Sequence, residues 1–269
     1  MSIPLLVTGA TGYLGSELVR QAPDAVGWGF SNPGADRVDV RDRAAVESRV
    51  AQLRPACVIH TAYREHGPAA HATTVGGSVN VARAANAGGS RLIHVSTDVV
   101  FDGRGDAPYR ESDPVSPITT YGRHKAEAER AVGEVHPHAV IVRTSLIYGG
   151  PQPSRHEQTA LDVAAGRASL AFYTDELRCP VAVSDLAAAL LALVDSTFAG
   201  IIHIAGADAV SRWEFAGLVT GTDQLPAARS ADRADPRPLD CRLDTSLSRS
   251  VLPAPPRGVR EVLRERAAR

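Results

Sequence analysis

A tyrosine and a lysine four residues apart have the types and the spacing for proton transfer. Tyr121 and Lys125 stand in the run TYGRHK, and this spacing places both side chains on one face of a helix. A lysine ammonium beside a phenol should lower the pKa of the tyrosine from its usual ~10 toward neutrality. Such a tyrosine could donate a proton to a developing alkoxide at pH 7. The alternative is a surface helix that carries both residues by chance.

Two hydroxyl side chains support the catalytic interpretation. Ser96 and Thr97 follow an apolar run, IHV, that we predict to be a strand. Ligands of open α/β sheets bind outside the carboxyl ends of the strands. The sequence therefore predicts that these hydroxyls face the same crevice as Tyr121 and Lys125.

Three glycines lie between the first predicted strand and the first predicted helix. Gly9, Gly12 and Gly15 have the spacing GxxGxxG. Glycines at a strand–turn–helix junction let main-chain N–H groups approach a pyrophosphate and point a helix N-terminus at its charge. This pattern predicts a dinucleotide site.

The end of the second predicted strand indicates which dinucleotide is bound. An acidic residue there would bind the ribose 2′-hydroxyl of NAD, but the run is FSNP, with no acid before Asp36. Ser31 and Asn32 could donate hydrogen bonds to a 2′-phosphate, which favours NADP. No arginine is expected at this strand end.

The elements that position these residues alternate between short apolar strands and longer helices. This alternation predicts right-handed βαβ units and a parallel sheet covered on both faces, an α/β fold with a doubly wound Rossmann sheet. We predict a dinucleotide-binding domain over residues 1–148 and a small C-terminal substrate lobe over 149–269, partly interleaved with the sheet. The expected strands are 3–8, 25–30, 37–40, 57–60, 91–95, 139–143 and 200–204, and the expected helices are 13–21, 43–53, 69–87, 120–134, 185–194, 213–219 and 258–269. Residues 224–240 are predicted to be an exposed loop.

Composition excludes several classes of protein. The 269 residues carry 29 Lys and Arg against 30 Asp and Glu, so we expect no general affinity for nucleic acid or anionic membrane. No apolar run approaches the roughly 20 residues of a membrane span, and the N-terminus does not resemble a signal peptide. The three cysteines lack metal-ligand spacing,. We expect a cytoplasmic enzyme or small-molecule binder.

Several longer motifs resemble one family, the extended short-chain dehydrogenases/reductases. They are TGATGYLG at 8–15, STDVVFDG at 96–103, YRESDPVSPITTYGRHK at 109–125 and RTSLIYG at 143–149. They are most similar to the dTDP-4-dehydrorhamnose reductase branch, which also contains the regulatory beta subunit of methionine adenosyltransferase. The resemblance implies an NADPH-dependent reductase that transfers hydride to the C4 keto group of a nucleotide-linked 6-deoxy sugar. It also implies a homodimer.

The resemblance implies a role for individual residues. Tyr121 would donate the proton, Lys125 would bind the nicotinamide ribose and tune Tyr121, and Thr97 would hydrogen-bond the reacting carbonyl. Asp98, Val99 and Arg178 would lie at the substrate, although a surface salt bridge is an equal alternative for Arg178. The remaining cofactor contacts implied are Gly9, Thr11, Gly12, Tyr13, Leu14, Asp39, Val40, Ala62, Tyr63, Ser145 and Leu146.

The sequence departs from the family pattern at several positions. The rhamnose-type reductases usually have Tyr at the position of Val99, Trp at that of Leu146 and Asn within the pair Thr73–Thr74. Of the acids that some members use for Mg²⁺, Glu17 alone has a counterpart, so we predict no metal. His60 is predicted to be a hydrogen-bonded core residue.

These departures leave two other functions open. The first is a non-catalytic, NADP-binding regulatory subunit, which the changes at Thr74, Val99 and Leu146 favour. The second is a sugar epimerase or dehydratase, which is disfavoured because Asp98 is not followed by a second acid.

Overall fold

The structure, a computed structural model, describes residues 4–30, 36–230 and 237–268. Its contacts divide the chain into two compact units, each built from three segments. The first unit comprises Met1–Thr97, Thr120–Arg143 and Ala187–Ile202, and the second comprises Asp98–Thr119, Thr144–Leu186 and His203–Arg269. The predicted start of the substrate lobe at residue 149 stays a prediction, because neither unit is known to hold the substrate.

The first unit is organised on a seven-stranded sheet. Its strands are β1 (Leu5–Thr8), β2 (Val26–Gly29), β3 (Asp36–Arg37), β4 (Cys57–His60), β5 (Arg91–Val95), β6 (Val140–Arg143) and β11 (Gly200–His203), in the order β11-β6-β5-β4-β1-β2-β3. In this order, each neighbouring pair between β6 and β3 is parallel. This is the strand order of a doubly wound dinucleotide-binding sheet, and the predicted fold class is confirmed.

The register explains why both faces of the sheet are apolar. Leu6, Val58 and Leu92 are aligned across β1, β4 and β5 and belong to one core cluster with Trp28 and Val81. Side chains alternate between faces along a strand, so the neighbouring residues on each strand point to the opposite face. That second row is Val7, Ile59, Ile93 and Val140, and each of these side chains is fully buried.

Helices cover this sheet. They are α1 (Tyr13–Gln21), α2 (Arg43–Leu53), α3 (Gly77–Ala87), α4 (Thr120–Val135) and α6 (Val183–Ala192), the last of which begins in the second unit. Asp42 caps α2 by accepting a hydrogen bond from the amide of Ala45. The residue that caps the C-terminus of α2, Arg54, has a left-handed φ of 49°. Pro55 follows it, and a proline disfavours a helical conformation in the residue before it. Helix α2 packs against α3, and α3 packs against α4.

The second unit contains shorter elements. Its strands β7 (Ile147–Tyr148) and β10 (Val181–Ala182), β8 (Phe172–Tyr173) and β13 (Ala227–Ala228), and β9 (Leu177–Arg178) and β12 (Val210–Ser211) form three separate pairs. Its helices are α5 (Arg155–Ala164), α7 (Arg212–Thr220), α8 (Ser246–Val251) and α9 (Val259–Ala267). Ser154 and Ser211 begin α5 and α7 with full capping boxes, and α7 contributes Phe215 and Ala216 to two separate core clusters.

Three predictions about elements need correction. Residues 224–240 are not simply an exposed loop: Leu225 is buried in a core cluster and Ala227–Ala228 pair with Phe172–Tyr173. The sequence misleads here because a two-residue strand is too short to show a period. The third strand is Asp36–Arg37 rather than 37–40, and the long helix predicted over 69–87 contains a π-helical turn over Ala72–Gly76 before α3.

Two further findings bear on function. All three cysteines are buried and unpaired. Among residues 4–30, 36–230 and 237–268, no helix has the length and apolar character that a bilayer span requires.

Candidate functional site

The glycine loop after β1 is packed tightly against the end of β4. Gly9 has a left-handed φ of 72°, and a Cβ there would lie 2.7 Å from Thr61 Oγ1 and 2.8 Å from the amide nitrogen of Ala62. A Cβ at Gly15 would lie 2.1 Å from the carbonyl oxygen of Gly9. Both positions therefore require glycine, because a side chain would push the first turn of α1 away from the loop.

The start of α1 suits an anion. Gly12 is the N-cap residue and provides no side-chain cap, and the first turn contains no acidic residue. Gly12 and the half-buried Thr11 and Tyr13 form the surface of the loop, whereas Leu14 is buried. The positive end of the helix dipole is thus directed at whatever binds at the loop. These residues fit a pyrophosphate, as the sequence predicts.

Two arginines lie at the end of β2, contrary to prediction. The pairing of Gly29 with Arg37 brings β3 alongside, and the guanidinium carbons of Arg37 and Arg41 lie 5.5 and 5.4 Å from the centre of the Phe30 ring. The expectation that no arginine lies at this strand end is therefore wrong. The sequence predicts a strand that includes Arg37, but it does not show that this strand pairs with the end of β2. Ser31 and Asn32 lie outside the described residues.

The predicted adenine contacts follow β3 and are held firmly. Asp39 accepts hydrogen bonds from the guanidinium of Arg41, and this arginine holds the pKa of the carboxyl below its usual value. Asn80 of α3 donates to the carbonyl oxygens of Val40 and Arg41 at 3.0 and 3.2 Å. Helix α3 therefore fixes the path of this loop.

The loop after β4 is held by the π-helical turn. Thr74, which is fully buried in that turn, accepts a hydrogen bond from the amide of Arg64 and donates one to its carbonyl oxygen, both at 3.0 Å. The threonine that departs from the family pattern thus braces the loop that carries Ala62 and Tyr63. Tyr63 remains 48% exposed.

Tyr121 and Lys125 lie one turn apart at the beginning of α4, as predicted. The Lys125 ammonium donates to the carbonyl oxygen of Val95 at 2.5 Å and lies 5.8 Å from the centre of the Tyr63 ring. The Tyr63 and Tyr121 rings are 5.6 Å apart. Burial lowers the pKa of Lys125 to about 8, and the carboxylate of Glu129 acts in the opposite direction. Lys125 therefore titrates close to neutral pH.

A buried ion pair ties the next turn of α4 to the sheet. The Arg143 guanidinium donates to both carboxylate oxygens of Glu129, to Oε1 at 3.2 Å and to Oε2 at 2.9 Å. The Ser96 hydroxyl donates to the same carboxylate, and all three side chains are almost fully buried. Lys125 of α4 is hydrogen-bonded to Val95 at the end of β5, and Ser96, the next residue, is hydrogen-bonded to Glu129 of α4. These two links fix the position of Thr97 relative to the helix that carries Tyr121.

A row of polar residues lies at the carboxyl ends of β1, β4 and β5. Thr8, His60 and His94 are aligned in register, and the two imidazole rings stack 5.4 Å apart. Ser78 donates to the carbonyl oxygen of Thr74, so its oxygen accepts from His60 Nε2, and His60 Nδ1 accepts from the Thr8 hydroxyl. Burial and the neighbouring Lys125 lower the pKa of His60 to about 3. His60 is a neutral core histidine, as predicted.

The other predicted site residues belong to the second unit and are bonded within it. Ser145 donates to the carboxylate of Asp98 at 2.6 Å, Val99 is half-buried, and Leu146 is part of a core cluster. Arg178 is 7% exposed and donates to three main-chain carbonyl oxygens, so a surface salt bridge is wrong for it. Whether these residues contact substrate or cofactor stays a prediction.

Glu17, the acid that the resemblance matches to the Mg²⁺ ligands of some family members, is already hydrogen-bonded to neighbouring side chains. Glu17 is 3% exposed and accepts hydrogen bonds from Arg20 and Gln21. In the part of the chain that the structure describes, no three acidic, histidine or cysteine side chains are grouped to hold a metal ion.

Comparisons with known proteins agree with this geometry. The chain is 35% identical to dTDP-4-dehydrorhamnose reductase of Mycobacterium tuberculosis over 248 residues, covering 87% of this chain and 81% of that protein. It is 30% identical to methionine adenosyltransferase 2 subunit beta of Bos taurus over 271 residues, with 90% and 80% covered.

Solved structures show the same fold. The structure superposes on dTDP-4-dehydrorhamnose reductase of Bacillus anthracis in complex with NADP with a TM-score of 0.86 at 25% identity, covering 98% of each chain. A family model described as "RmlD substrate binding domain" matches residues 3–269. This chain therefore belongs to the RmlD family, the family of the dTDP-4-dehydrorhamnose reductases.

Proposed function

We propose that this chain uses NADPH to reduce the C4 keto group of a nucleotide-linked 6-deoxy sugar, with Tyr121 as the proton donor. By its family the chain is an NAD(P)-dependent oxidoreductase with a role in sugar-nucleotide reduction. The observation that carries the finer proposal is the position of Tyr121 and Lys125 at the start of α4, joined to the end of β5 by the Lys125–Val95 hydrogen bond.

The first unit has the features that NADPH requires. The glycine loop leaves no room for a Cβ at Gly9 or Gly15, and Gly12 leaves the start of α1 without a side-chain cap, as a bound pyrophosphate requires. Arg37 and Arg41 beside Phe30 supply positive charge where the 2′-phosphate would lie. When bound, this cofactor supplies the hydride.

Tyr121 and Lys125 then handle the proton. The phenol of Tyr121 donates its proton to the oxygen that becomes an alkoxide as the carbonyl carbon is reduced. Lys125, with a pKa of about 8, is largely charged at pH 7 and stabilises the phenolate that Tyr121 leaves behind. The hydroxyl of Thr97, which is 9% exposed at the end of β5, donates a hydrogen bond to the same carbonyl oxygen and orients it.

The Tyr121→Phe variant tests this proposal. The hydroxyl is the proposed acid, and general acid catalysis contributes about 10² to 10⁴ in rate, so kcat should fall by at least about 100-fold while the Kd for NADPH changes less than about threefold. The measurement is loss of NADPH absorbance with dTDP-4-keto-6-deoxyglucose and its 3,5-epimerase. Tyr173→Phe, in β8, is the control and should keep full turnover. Undiminished turnover in Tyr121→Phe would refute the assignment.

A second function, a non-catalytic NADP-binding regulatory subunit, is favoured by the likeness to the bovine beta subunit over 90% of the chain. The positions Thr74, Val99 and Leu146, which differ from the family pattern, also favour it. This function predicts tight NADPH binding, no turnover of any keto sugar, and co-purification with a partner protein. Turnover that depends on Tyr121 would exclude it.

A further inference from the structure

Tyr63 is an exposed aromatic residue in a loop that is held on both sides of it. Before it, Thr61 donates its main-chain N–H and its hydroxyl to the carbonyl oxygen of Thr8, at 3.1 and 2.8 Å. After it, the amide and the carbonyl oxygen of Arg64 are both hydrogen-bonded to the hydroxyl of the buried Thr74, at 3.0 Å each. Because the ring is exposed, the main chain rather than burial fixes its position.

The hydrogen bonds that follow Tyr63 come from an unusual turn of helix. Thr74 stands in the middle of the π-helical turn Ala72–Gly76, directly before α3. Such turns are rare and occur frequently at functional sites. The turn and the loop are joined at Arg64, the residue next to Tyr63.

The Tyr63 ring contacts both members of the pair at the start of α4. Its centre lies 5.6 Å from that of the Tyr121 ring, at an angle of 47° between the rings, within the range of aromatic pairs. The Lys125 ammonium lies over the Tyr63 ring, 5.8 Å from its centre, within the roughly 6 Å at which a ring face attracts a cation. All three residues belong to the first unit. One ring therefore lies beside the proposed proton donor and the lysine that acts on it.

Lys125 benefits from such a contact because its charge is buried. An ammonium has three N–H groups, but among the described residues Lys125 makes one hydrogen bond, to the carbonyl oxygen of Val95. Burial disfavours the charged form of Lys125 and the carboxylate of Glu129 favours it, but that carboxylate is also bonded to Arg143. The face of the Tyr63 ring adds negative potential from a different element.

The other ionisable groups near Lys125 do not supply this potential. Burial, and after it the charge of Lys125, holds the pKa of His60 on β4 and of His94 on β5 well below the usual range. Both imidazoles are therefore neutral while Lys125 titrates. Where the π-helical turn meets α4, His71 and Glu127 are bonded to each other at 3.1 Å. A change in the pKa of Lys125 can therefore be traced to Tyr63 when that residue alone is altered.

We propose that Tyr63 is a positioning residue of the proton-transfer site, whose ring keeps Lys125 charged beside Tyr121, and that Thr74 holds this ring in place. The contacts stand by themselves, whereas their use in catalysis rests on the proposed function. Phenylalanine could replace Tyr63 in this role and an aliphatic residue could not, because an aromatic ring has a face of negative potential.

Lys125 can be observed directly because it is the only lysine in the sequence. Lysine-selective isotope labelling of the full chain therefore gives one set of side-chain NMR signals, and their shift with pH measures the pKa of Lys125 without substrate. In Tyr63→Leu this pKa should fall by about half a unit to one unit, the size of a cation–π contact. Tyr63→Phe should keep the wild-type pKa. Phe198→Leu removes a half-buried ring elsewhere in the first unit and should also keep it.

Thr74→Val tests whether the π-helical turn holds the ring, since it removes the hydroxyl and keeps the shape of the side chain. The ring should then lie farther from the ammonium on average, and the pKa of Lys125 should fall by less than in Tyr63→Leu. Thr73→Val makes the same change one residue earlier in the turn and should have no effect. An unchanged or higher pKa in Thr74→Val, or an equal shift in Thr73→Val, would overturn the role of Thr74.

The outcomes separate this contact from the proposed function. An unchanged or higher pKa of Lys125 in Tyr63→Leu, or an equal fall in Tyr63→Phe, would overturn the positioning role even in a chain that reduces a keto sugar. A fall in Tyr63→Leu alone, in a chain that reduces no keto sugar, would leave the contact standing and overturn the proposed function. Tyr63→Met replaces Tyr63→Leu if the latter does not fold.

In an active chain, the kinetics should follow the pKa of Lys125. The alkaline limb of the kcat profile of Tyr63→Leu should move toward acid by the same amount as this pKa. At pH 8, kcat should fall about two- to sixfold, with little change in KM. A limb that stays in place while the pKa falls would exclude Tyr63 from a role in catalysis.

Discussion

The glycine loop of the first unit and the starts of α5 and α7 in the second unit differ in how the first turn of the helix is satisfied. At α1 the cap residue is Gly12, which has no side chain to satisfy the first turn. At α5 and α7 the capping boxes of Ser154 with Glu157 and Ser211 with Glu214 already do so.

This difference determines what each region can use for binding. The uncapped α1 can offer main-chain N–H groups directly to a phosphate. The capping boxes of α5 and α7 already occupy main-chain N–H groups of their first turns,. A site that uses main-chain donors depends on the shape of the loop that carries them.

A substitution in the glycine loop should have the largest effect on this comparison. In Gly15→Ala the new Cβ would lie 2.1 Å from the Gly9 carbonyl oxygen, and such overpacking costs about 1–3 kcal/mol. Because the shift falls on the main-chain donors, we expect NADPH binding to weaken by about 10- to 100-fold in a fluorescence titration, with dTDP binding retained.

Gly133→Ala is the matched control for that variant. Gly133 is also helical, and a Cβ there meets nothing within 4 Å. Alanine should raise the stability of α4 by up to about 1 kcal/mol and leave NADPH binding unchanged. Wild-type affinity in Gly15→Ala would contradict the view that shape governs this region.

Glu129→Gln tests what a paired buried carboxylate contributes to the ionisation of Lys125. The substitution removes the carboxylate that raises the pKa of Lys125 against burial, so this pKa should fall below about 8. The charged form of Lys125 is then lost at lower pH, and the alkaline limb of the kcat profile should move toward acid. At pH 8 we expect kcat to fall about five- to sixfold, since lowering the pKa of Lys125 by about one unit reduces its charged fraction from about a half to about a tenth.

Glu134→Gln makes the same change on the same helix, at an exposed ion pair with Arg130. Such pairs contribute about 0–1 kcal/mol, so neither stability nor the pH profile should change noticeably. If Glu129→Gln is too unstable to assay, Ser96→Ala can replace it. This variant removes one hydrogen bond to the Glu129 carboxylate, which keeps its charge and acts more strongly on Lys125. The alkaline limb of the kcat profile should then move toward higher pH. An unshifted pH profile in both variants would show that Glu129 does not set the pKa of Lys125.

Arg37→Ala should have the smallest effect and tests whether the cofactor region also uses side-chain charge. Arg37 is exposed beside Phe30, and an exposed charge contributes less than a buried one. We expect the Kd for NADPH to rise about fivefold and that for NADH to stay constant. Arg43→Ala, at an exposed ion pair of α2, is the control, and an equal loss for both cofactors in Arg37→Ala would rule out 2′-phosphate recognition.

The sequence was sufficient where residues close in the chain act together. The glycine spacing, the Tyr121–Lys125 turn and the apolar alternation of the strands depend on local geometry. They predicted the parallel sheet, the glycine loop at the start of α1 and the place of Tyr121 and Lys125 on α4. They also predicted His60 as a core residue.

What the sequence missed depends on residues far apart. Arg37 reaches the end of β2 through the pairing of β3 with β2, which the predicted strand alone does not show. Glu129 and Arg143 stand 14 positions apart and meet only when α4 packs on the sheet.

The sequence by itself determined the class of fold, the glycine loop and the Tyr121–Lys125 pair, because periodicity and short spacings are properties of the local chain. Tertiary structure alone decided which distant charges are paired. Pairing depends on which distant side chains share a buried space. In this chain it joins Glu129 to Arg143 when α4 packs on the sheet.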